Sequence, residues 1–371
     1  MPKVMCNICK HNNARELLVC ENCGYPVNVK KFSELTGKDY YISLASLIRT
    51  WPKRPFFLNG TDKSEGMLNR FLTVYYLRPE NAVNRAIEAS IISNMNLWKE
   101  PALDIGCGDG IFSSVLRGGV FRKEYDTFSE TDLTKQDIYD CFKGKCDFND
   151  YFKKMPEKVH AGLDIKESIV KKAESIGAYE KTFTGSADSL PFGDGSFSTV
   201  FSNVFKNVGE VEKAFSEAYR VLCPGGKAIF VVSSHRYRDF LYYYPMSKKT
   251  ESYEKKKKLL EMDRGRAMYN VHCCDISEWR RMIEKSGFKF EKYVSYLTEP
   301  TMRFWDTGLR NFSMKTIKFM NRLESLGMKP MVKKLVVSYL NHKLRIFTNR
   351  EIENATPDNE GAYYIIAAVK T

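Results

Sequence analysis

The sequence predicts an α/β chain built on a doubly wound, mainly parallel sheet. Three observations carry that expectation: an apolar run ending in a glycine turn at Pro101 to Ser114, a strand–helix alternation repeating after it, and a last apolar strand, GAYYIIAAV, at Gly361 to Val369. In the first of these, Ala102-Leu103 leads to Asp104. Gly106, Gly108 and Gly110 follow at alternate positions, and Ile111 to Arg117 opens a helix. Glycine is needed because the chain must reverse tightly and let its backbone approach a ligand. The helix start beyond it presents unpaired N–H groups. A nucleotide-like ligand suits such a turn.

Composition bounds the rest. A chain of 371 residues with 43% hydrophobic and 13% aromatic content can bury a large core, and its length points to two or three domains. The opening MPKVMCNICK has no apolar leader, and no stretch reaches the roughly 18 uninterrupted apolar residues of a spanning helix. A cytoplasmic protein with no transmembrane segment is therefore expected. Of the ten cysteines, four cluster near the start and the other six show no disulfide-framework spacing.

That cluster is Cys6-x2-Cys9, ten residues, then Cys20-x2-Cys23. Two such knuckles offer four thiolates to one tetrahedral ion, the signature of a structural zinc ribbon over residues 1–31, whose folding the metal would largely drive. Residues 32–79 are aromatic and broken by Trp51-Pro52 and Arg54-Pro55, and read as a linker or cap; Tyr75, Tyr76 and Arg78 are placed either to line a substrate mouth or, as is commoner for aromatics beside a helix, to join the core. Glu80 to Trp98 has loosely helical apolar spacing after Pro79. Past the glycine turn, 118–158 is polar and rich in Asp and Lys, too long for an ordinary connection, and reads as an insertion. Cys141 and Cys146 within it lack partners for a second metal site.

The alternation then resumes. Val159 to Leu163 reads as a strand, Lys166 to Ile176 as a helix, Lys181 to Thr184 and Ser198 to Ser202 as strands, Val208 to Leu222 as a helix, Pro224-Gly225-Gly226 as a turn and Lys227 to Val232 as a strand. Asp164, at a strand's C-terminal end, faces the crevice in such a fold. Its two oxygens match a ribose diol. Asp188, in Gly185-Ser186-Ala187-Asp188, is placed for an adenine contact.

The stretches LDIGCGDG, GLDI, GSADSLPFGDGSFSTVFSN and EAYRVLCPGGKAIFVV run in the order of a known family. Over roughly residues 80 to 235 the chain resembles the class I S-adenosylmethionine-dependent methyltransferases, in the branch often called type 11. The resemblance implies a Rossmann-like, seven-stranded doubly wound sheet with an antiparallel last strand and S-adenosylmethionine across the strand ends. It implies that Asp104, Gly106, Gly108 and Gly110 meet the methionine part, Asp164 and Ile165 the ribose and its neighbourhood, and Ala187 and Asp188 the adenine. Asn203 would lie beneath the sulfonium. Where this branch commonly has a Glu-His pair after the fourth strand, this chain has Lys206 and Asn207. His235 and His272 are then the histidines placed to serve as a base, against a plain structural role for each. The segment after the fourth strand also lacks the N-P-P-Y type of motif found in enzymes that methylate exocyclic amines of bases.

The last third carries the charge. Residues 241 to 350 hold 24 Lys and Arg against 11 Asp and Glu, an excess equal to the +13 net charge of the whole chain. Asp275 to Ser286 reads as a helix and Lys289 to Leu297 as the sixth strand. Residues 299–357 then interrupt the usual closing hairpin with a basic helical lid. Such a lid fits an anionic membrane surface or lipid-linked substrate, an RNA, or a solvated lysine face. The methyltransferase domain is expected at 80–298 and 358–371, its acceptor of unidentified class, with a small-molecule, lipid-linked or glycan hydroxyl favoured over RNA. A further alternative is a non-catalytic zinc-ribbon binding module on the same scaffold.

Overall fold

The computed structural model describes residues 3–5, 12–14, 63–128, 151–310 and 314–371. The four cysteines expected to bind zinc, the Cys141 and Cys146 pair, residues 15–62 and the middle of the 118–158 insertion lie outside the described residues.

Two helices precede the sheet. Where the sequence reads as irregular, α1 (Lys63–Tyr75) forms, because its breakers all lie upstream and Leu68, Phe71 and Leu72 recur at three- and four-residue spacing, each fully buried. It packs on α2 (Pro79–Met95), whose proline sits in the first turn, where no intrahelical N–H is required, and whose chain leaves through left-handed Asn96. Of the two readings of Tyr76, the core one holds: it is fully buried, with its hydroxyl donating to Asp126.

The sheet is assembled from β1 (Ala102–Ile105), α3 (Ile111–Leu116), β2 (Val159–Asp164), α4 (Glu167–Ile176), β3 (Tyr179–Thr184), β4 (Phe197–Ser202), α5 (Val211–Val221) and β5 (Leu222–Ser234). Four short helices follow, α6 (Tyr237–Phe240), α7 (Tyr243–Lys249), α8 (Tyr253–Asp263) and α9 (Arg266–Tyr269). Then come α10 (Ile276–Lys285) and β6 (Phe288–Tyr296). After α11 (Glu299–Phe304), α12 (Met314–Ser325) and α13 (Lys329–Glu353), β7 (Tyr363–Lys370) returns to the sheet. The strand order is β6-β7-β5-β4-β1-β2-β3, with β7 antiparallel to both neighbours. From β1 the chain builds outward first to one side and then to the other, so the glycine turn emerges at the switch point between β1 and β4. This is the sheet that the resemblance implies.

Alternate residues of the strands feed two cores. On one face Ala102, Phe201, Ile229 and Val231 meet α1, α2 and α3; on the other Leu103, Val200 and Phe230 meet α5 and α10. Phe205, Phe215 and Phe230 pack with ring centroids 4.9 to 5.0 Å apart, and the Trp279 indole caps them while donating to Ser233 O at 2.9 Å. The expected turn at Pro224-Gly225-Gly226 is looped out of the β4–β5 pairing, which passes from Leu222 to Lys227, with Gly225 at φ +76°.

The segment expected to form a lid is helical, and α13 is docked along α1 and α2. Leu340 and Leu344 fill that seam, and the Trp305 indole donates to Glu80 O at 3.2 Å. Its lysines do not all face solvent. Lys329 and Lys333 are buried, paired with Asp126 at 2.7 Å and with the Tyr125 carbonyl respectively.

Candidate active site

The turn after β1 is pinned before it reaches the crevice. Gly106 and Cys107 both donate to Leu163 O, at 2.7 and 3.0 Å, which ties the turn to the end of β2. Gly106, Gly108 and Gly110 all have positive φ, at +78°, +54° and +75°. The reasons differ. A Cβ on Gly106 would lie 2.3 Å from a Val204 methyl, whereas one on Gly108 would meet nothing within 4 Å and project into open space. Gly108 therefore leaves a cradle at the switch point that a side chain would fill.

Asp164 closes the cradle. Its Oδ2 accepts from Gly108 N and its Oδ1 from Lys166 N, both at 3.1 Å, so the carboxylate is fixed in orientation while each oxygen keeps a lone pair for a ligand hydroxyl. Beside it Ile165 is 71% exposed, leaving most of an apolar side chain open at the strand end among the described residues. Ala187 and Asp188, half-buried, sit in the turn after β3. A residue the sequence reading did not single out holds the chain that follows: Arg220 on α5 donates to Phe192 O, Leu190 O, Asp194 and Glu217 at 2.7 to 3.1 Å. Its position one helix away from the loop it clamps left no local signal.

The structure sets Asp104 inside the turn. The carboxylate is 2% exposed, and its Oδ2 accepts from Ser113 at 2.5 Å and from Tyr179 at 2.7 Å. Burial pushes its pKa up to about 6, against the downward pull of those two hydroxyls. It braces the glycine turn from within.

A second group of polar side chains meets at the ends of β4, β6 and β7. Asn203 Nδ2 donates to Glu88 Oε1 and Tyr296 OH to Glu88 Oε2, each at 3.3 Å, so α2 contributes a buried carboxylate to the strand ends. Lys206, in the 3-10 turn Phe205–Asn207, folds back so that Nζ donates to Asn203 O and lies 5.4 Å from the centre of the Tyr363 ring. Burial depresses its pKa to about 8, with Glu88 opposing and Arg85 reinforcing the shift. The phenols of Tyr296 and Tyr363 are pushed the other way, also by burial.

The structure does not add the two predicted histidines to this group. His235 is exposed past β5. The His272 imidazole donates from Nε2 to Val208 O at 2.7 Å, and its backbone N–H to Lys206 O at 2.9 Å, which makes it a tie between the turn after β4 and the segment before α10. Lys206, Glu88, Tyr296 and Tyr363 were not proposed as site residues. Only Lys206 had a signal, its place where the related sequences carry Glu-His. Among the described residues there is no group of three or more His, Cys, Asp or Glu able to hold a metal ion.

Residues 143–230 match a family described as a methyltransferase domain. The chain is 32% identical over 127 residues to a ubiquinone/menaquinone biosynthesis C-methyltransferase of Dinoroseobacter shibae, covering 32% of this chain and 51% of that protein. It is 27% identical over 201 residues to the protein of the same name from Rickettsia bellii, covering 52% and 69%. It thus spans about half the length of the first of these relatives. Among solved structures, a methyltransferase of Thermotoga maritima described as a possible histamine N-methyltransferase superposes with a TM-score of 0.43 at 16% identity, covering 83% of this chain and 100% of that one. Over residues 143–230 the chain is thus similar to methyltransferase domains, and its sheet order and glycine turn are those that the similarity implies.

Proposed function

We propose that the chain transfers a methyl group from S-adenosylmethionine to a small, largely apolar acceptor. The observation that carries this reading is the Gly108 cradle facing Asp164, whose carboxylate is already oriented by two backbone N–H groups beside an exposed Ile165. In it, the N–H groups of the Gly106 to Gly110 turn would hold the methionine portion, with Asp104 setting the turn from behind. Asp164 would bind the ribose diol, Ile165, Ala187 and Asp188 the adenine ring, and Asn203 would lie under the sulfonium. The cofactor supplies an already activated methyl group, so the protein's share is alignment of the acceptor and exclusion of water.

The acceptor side is aromatic, with Tyr296 and Tyr237 buried and Tyr363 half-buried around the Asn203–Glu88 pair. Such a wall suits an apolar ring bearing a few polar groups. The names of the matched relatives, which refer to ubiquinone and menaquinone biosynthesis, support a quinone-type ring as the first acceptor to try. The basic α12–α13 segment supports a lipid-linked acceptor more readily than RNA, because Phe319, Met331 and Leu335 are exposed on it at 56 to 64%. Cys6, Cys9, Cys20 and Cys23 are proposed to hold one structural zinc ion outside the sheet.

Calorimetry with S-adenosylmethionine and S-adenosylhomocysteine tests the cofactor. A folded protein giving no heat with either would end the enzyme reading in favour of a non-catalytic binding module. Incubation with radiolabelled cofactor and a fractionated cell extract tests the acceptor, and label entering RNA alone would overturn the small-molecule choice.

A further inference from the structure

Lys206 lies where the strand ends converge, and every element around it contributes to its state. From α2 come Glu88, whose carboxylate attracts its charge, and Arg85, which repels it. From β4 comes the Asn203 carbonyl that accepts its hydrogen bond, and from β7 the Tyr363 ring beneath its Nζ. The segment before α10 adds Cys273, and β6 adds Tyr296 through its bond to Glu88. His272 locks the turn that carries the lysine by donating its backbone N–H to Lys206 O. The side chain is consequently a half-buried amine with one fixed acceptor, Asn203 O, at the residue next to which the transferred methyl is expected.

We propose that Lys206 takes the proton from an acidic hydroxyl on an aromatic acceptor, with Asn203 and Glu88 holding its amine in place; this deepens the methyltransferase reading and rests on it. A lysine whose ammonium loses its proton near pH 8 is matched to a phenol or hydroquinone, which ionises not far above that. It is poorly matched to an aliphatic alcohol, which ionises many units higher. In the step, the acceptor O–H bond breaks, the proton passes to the Nζ lone pair and the electron pair remains on oxygen. The ammonium so formed stays beside the phenolate, over the Tyr363 face, where the ring quadrupole favours it. The phenolate pair, acting from oxygen or from the adjoining ring carbon, then forms the bond to the methyl carbon, and the carbon–sulfur pair leaves on sulfur. One proton is released overall, from Lys206 to water after O-attack, or from the ring carbon as aromaticity returns after C-attack.

Two experiments on the full chain test this. The first needs no cofactor: 4-nitrophenol, whose phenolate absorbs visible light, is titrated with wild type, Lys206→Met and Lys206→Arg at a pH just below its own ionisation. Wild type and Lys206→Arg should raise the phenolate band by stabilising the anion, and Lys206→Met should not. Identical spectra with all three proteins, or no band with wild type, overturn the assignment.

The second follows label transfer from S-adenosylmethionine to 1,4-dihydroxynaphthalene against pH. The wild-type rate should climb through about pH 8 and level off, and Lys206→Met should lose roughly 100-fold or more in kcat. Lys206→Arg should keep acceptor KM within about threefold yet lose the break near pH 8. Calorimetry with S-adenosylhomocysteine separates the causes of failure: no heat with wild type defeats the methyltransferase reading itself. Normal heat with an unmoved pH profile in Lys206→Met, or with no transfer to the naphthol, defeats only the role given to Lys206.

Discussion

Tyr179 donates its hydroxyl hydrogen to Asp104 Oδ2 at 2.7 Å, so the first residue of β3 reaches beneath β2 to hold the carboxylate that braces the glycine turn. Burial raises that carboxyl to about 6 from an ordinary 3.8. A folded-state pKa above the unfolded one means that the folded protein binds the proton more tightly. The resulting stability is present below about pH 4 and lost as pH rises through about 6, with no further change above.

Asp104→Asn keeps an oxygen for both hydroxyls and cannot ionise. Wild type should therefore lose roughly 1–3 kcal/mol relative to the variant between pH 4 and 6.5. Urea unfolding at several pH values in that interval checks the difference, and parallel curves for the two proteins would show that Asp104 is not the titrating group.

Asp164→Ala removes the carboxylate proposed to receive the ribose diol. Loss of charged hydrogen bonds of this kind should weaken S-adenosylhomocysteine binding by about 10- to 100-fold. Because Gly108 and Lys166 also donate to Asp164, the unfolding temperature should be measured alongside the calorimetry. A variant that stays folded at the assay temperature and binds as wild type would remove Asp164 from the cofactor site.

The order of these elements was legible because their signals are local. The Gly106, Gly108 and Gly110 turn, Asp164 closing an apolar strand and the helix of Asp275 to Ser286 each lie within a dozen residues, and each stands where its sequence places it. Groups made by distant segments were not legible. Glu88 and Tyr296 are 208 residues apart and meet only because the end of β6 comes to lie against the middle of α2. The helix at Lys63–Tyr75 was hidden by the prolines before it. The lysines of α13 misled for a related reason: a charged residue on a helix reads as solvated, yet Lys329 and Lys333 turn inward to Asp126 and the Tyr125 carbonyl.

That inward turn makes Asp126 a stability determinant. It accepts from Tyr76 at 2.9 Å and pairs with Lys329 at 2.7 Å, all three buried between α13 and the start of the insertion. Asp126→Ala would strand Lys329, whose remaining carboxylate partner is Glu324 at 3.2 Å, and should destabilise by about 3 kcal/mol. Lys329→Met added to it should recover part of the loss, since the uncompensated charge is then gone. Equal destabilisation in the single and double variants would mean that packing around Tyr76, and not the stranded ammonium, sets the cost.

Gly106 and Val204 test whether the turn is shaped by the strand opposite it. An added Cβ at Gly106 would sit 2.3 and 2.5 Å from the two Val204 methyls, and the residue's φ of +78° is itself unfavourable for a side chain. Gly106→Ala thus combines a left-handed backbone penalty of about 1–2 kcal/mol with a steric clash of about 1–3 kcal/mol. Val204→Ala removes the two methyls and costs about 1–3 kcal/mol alone. If the clash is real, the double variant should be less destabilised than the sum of the singles by at least about 1 kcal/mol, the rest of the cost being the backbone penalty and the 2.9 Å approach to the Val204 Cβ that alanine retains. Cofactor affinity should follow the same pattern, low in Gly106→Ala and partly regained in the double variant, because the turn returns toward the position that Gly108 needs. Additive stabilities would place Val204 away from the turn and leave backbone strain as the whole effect.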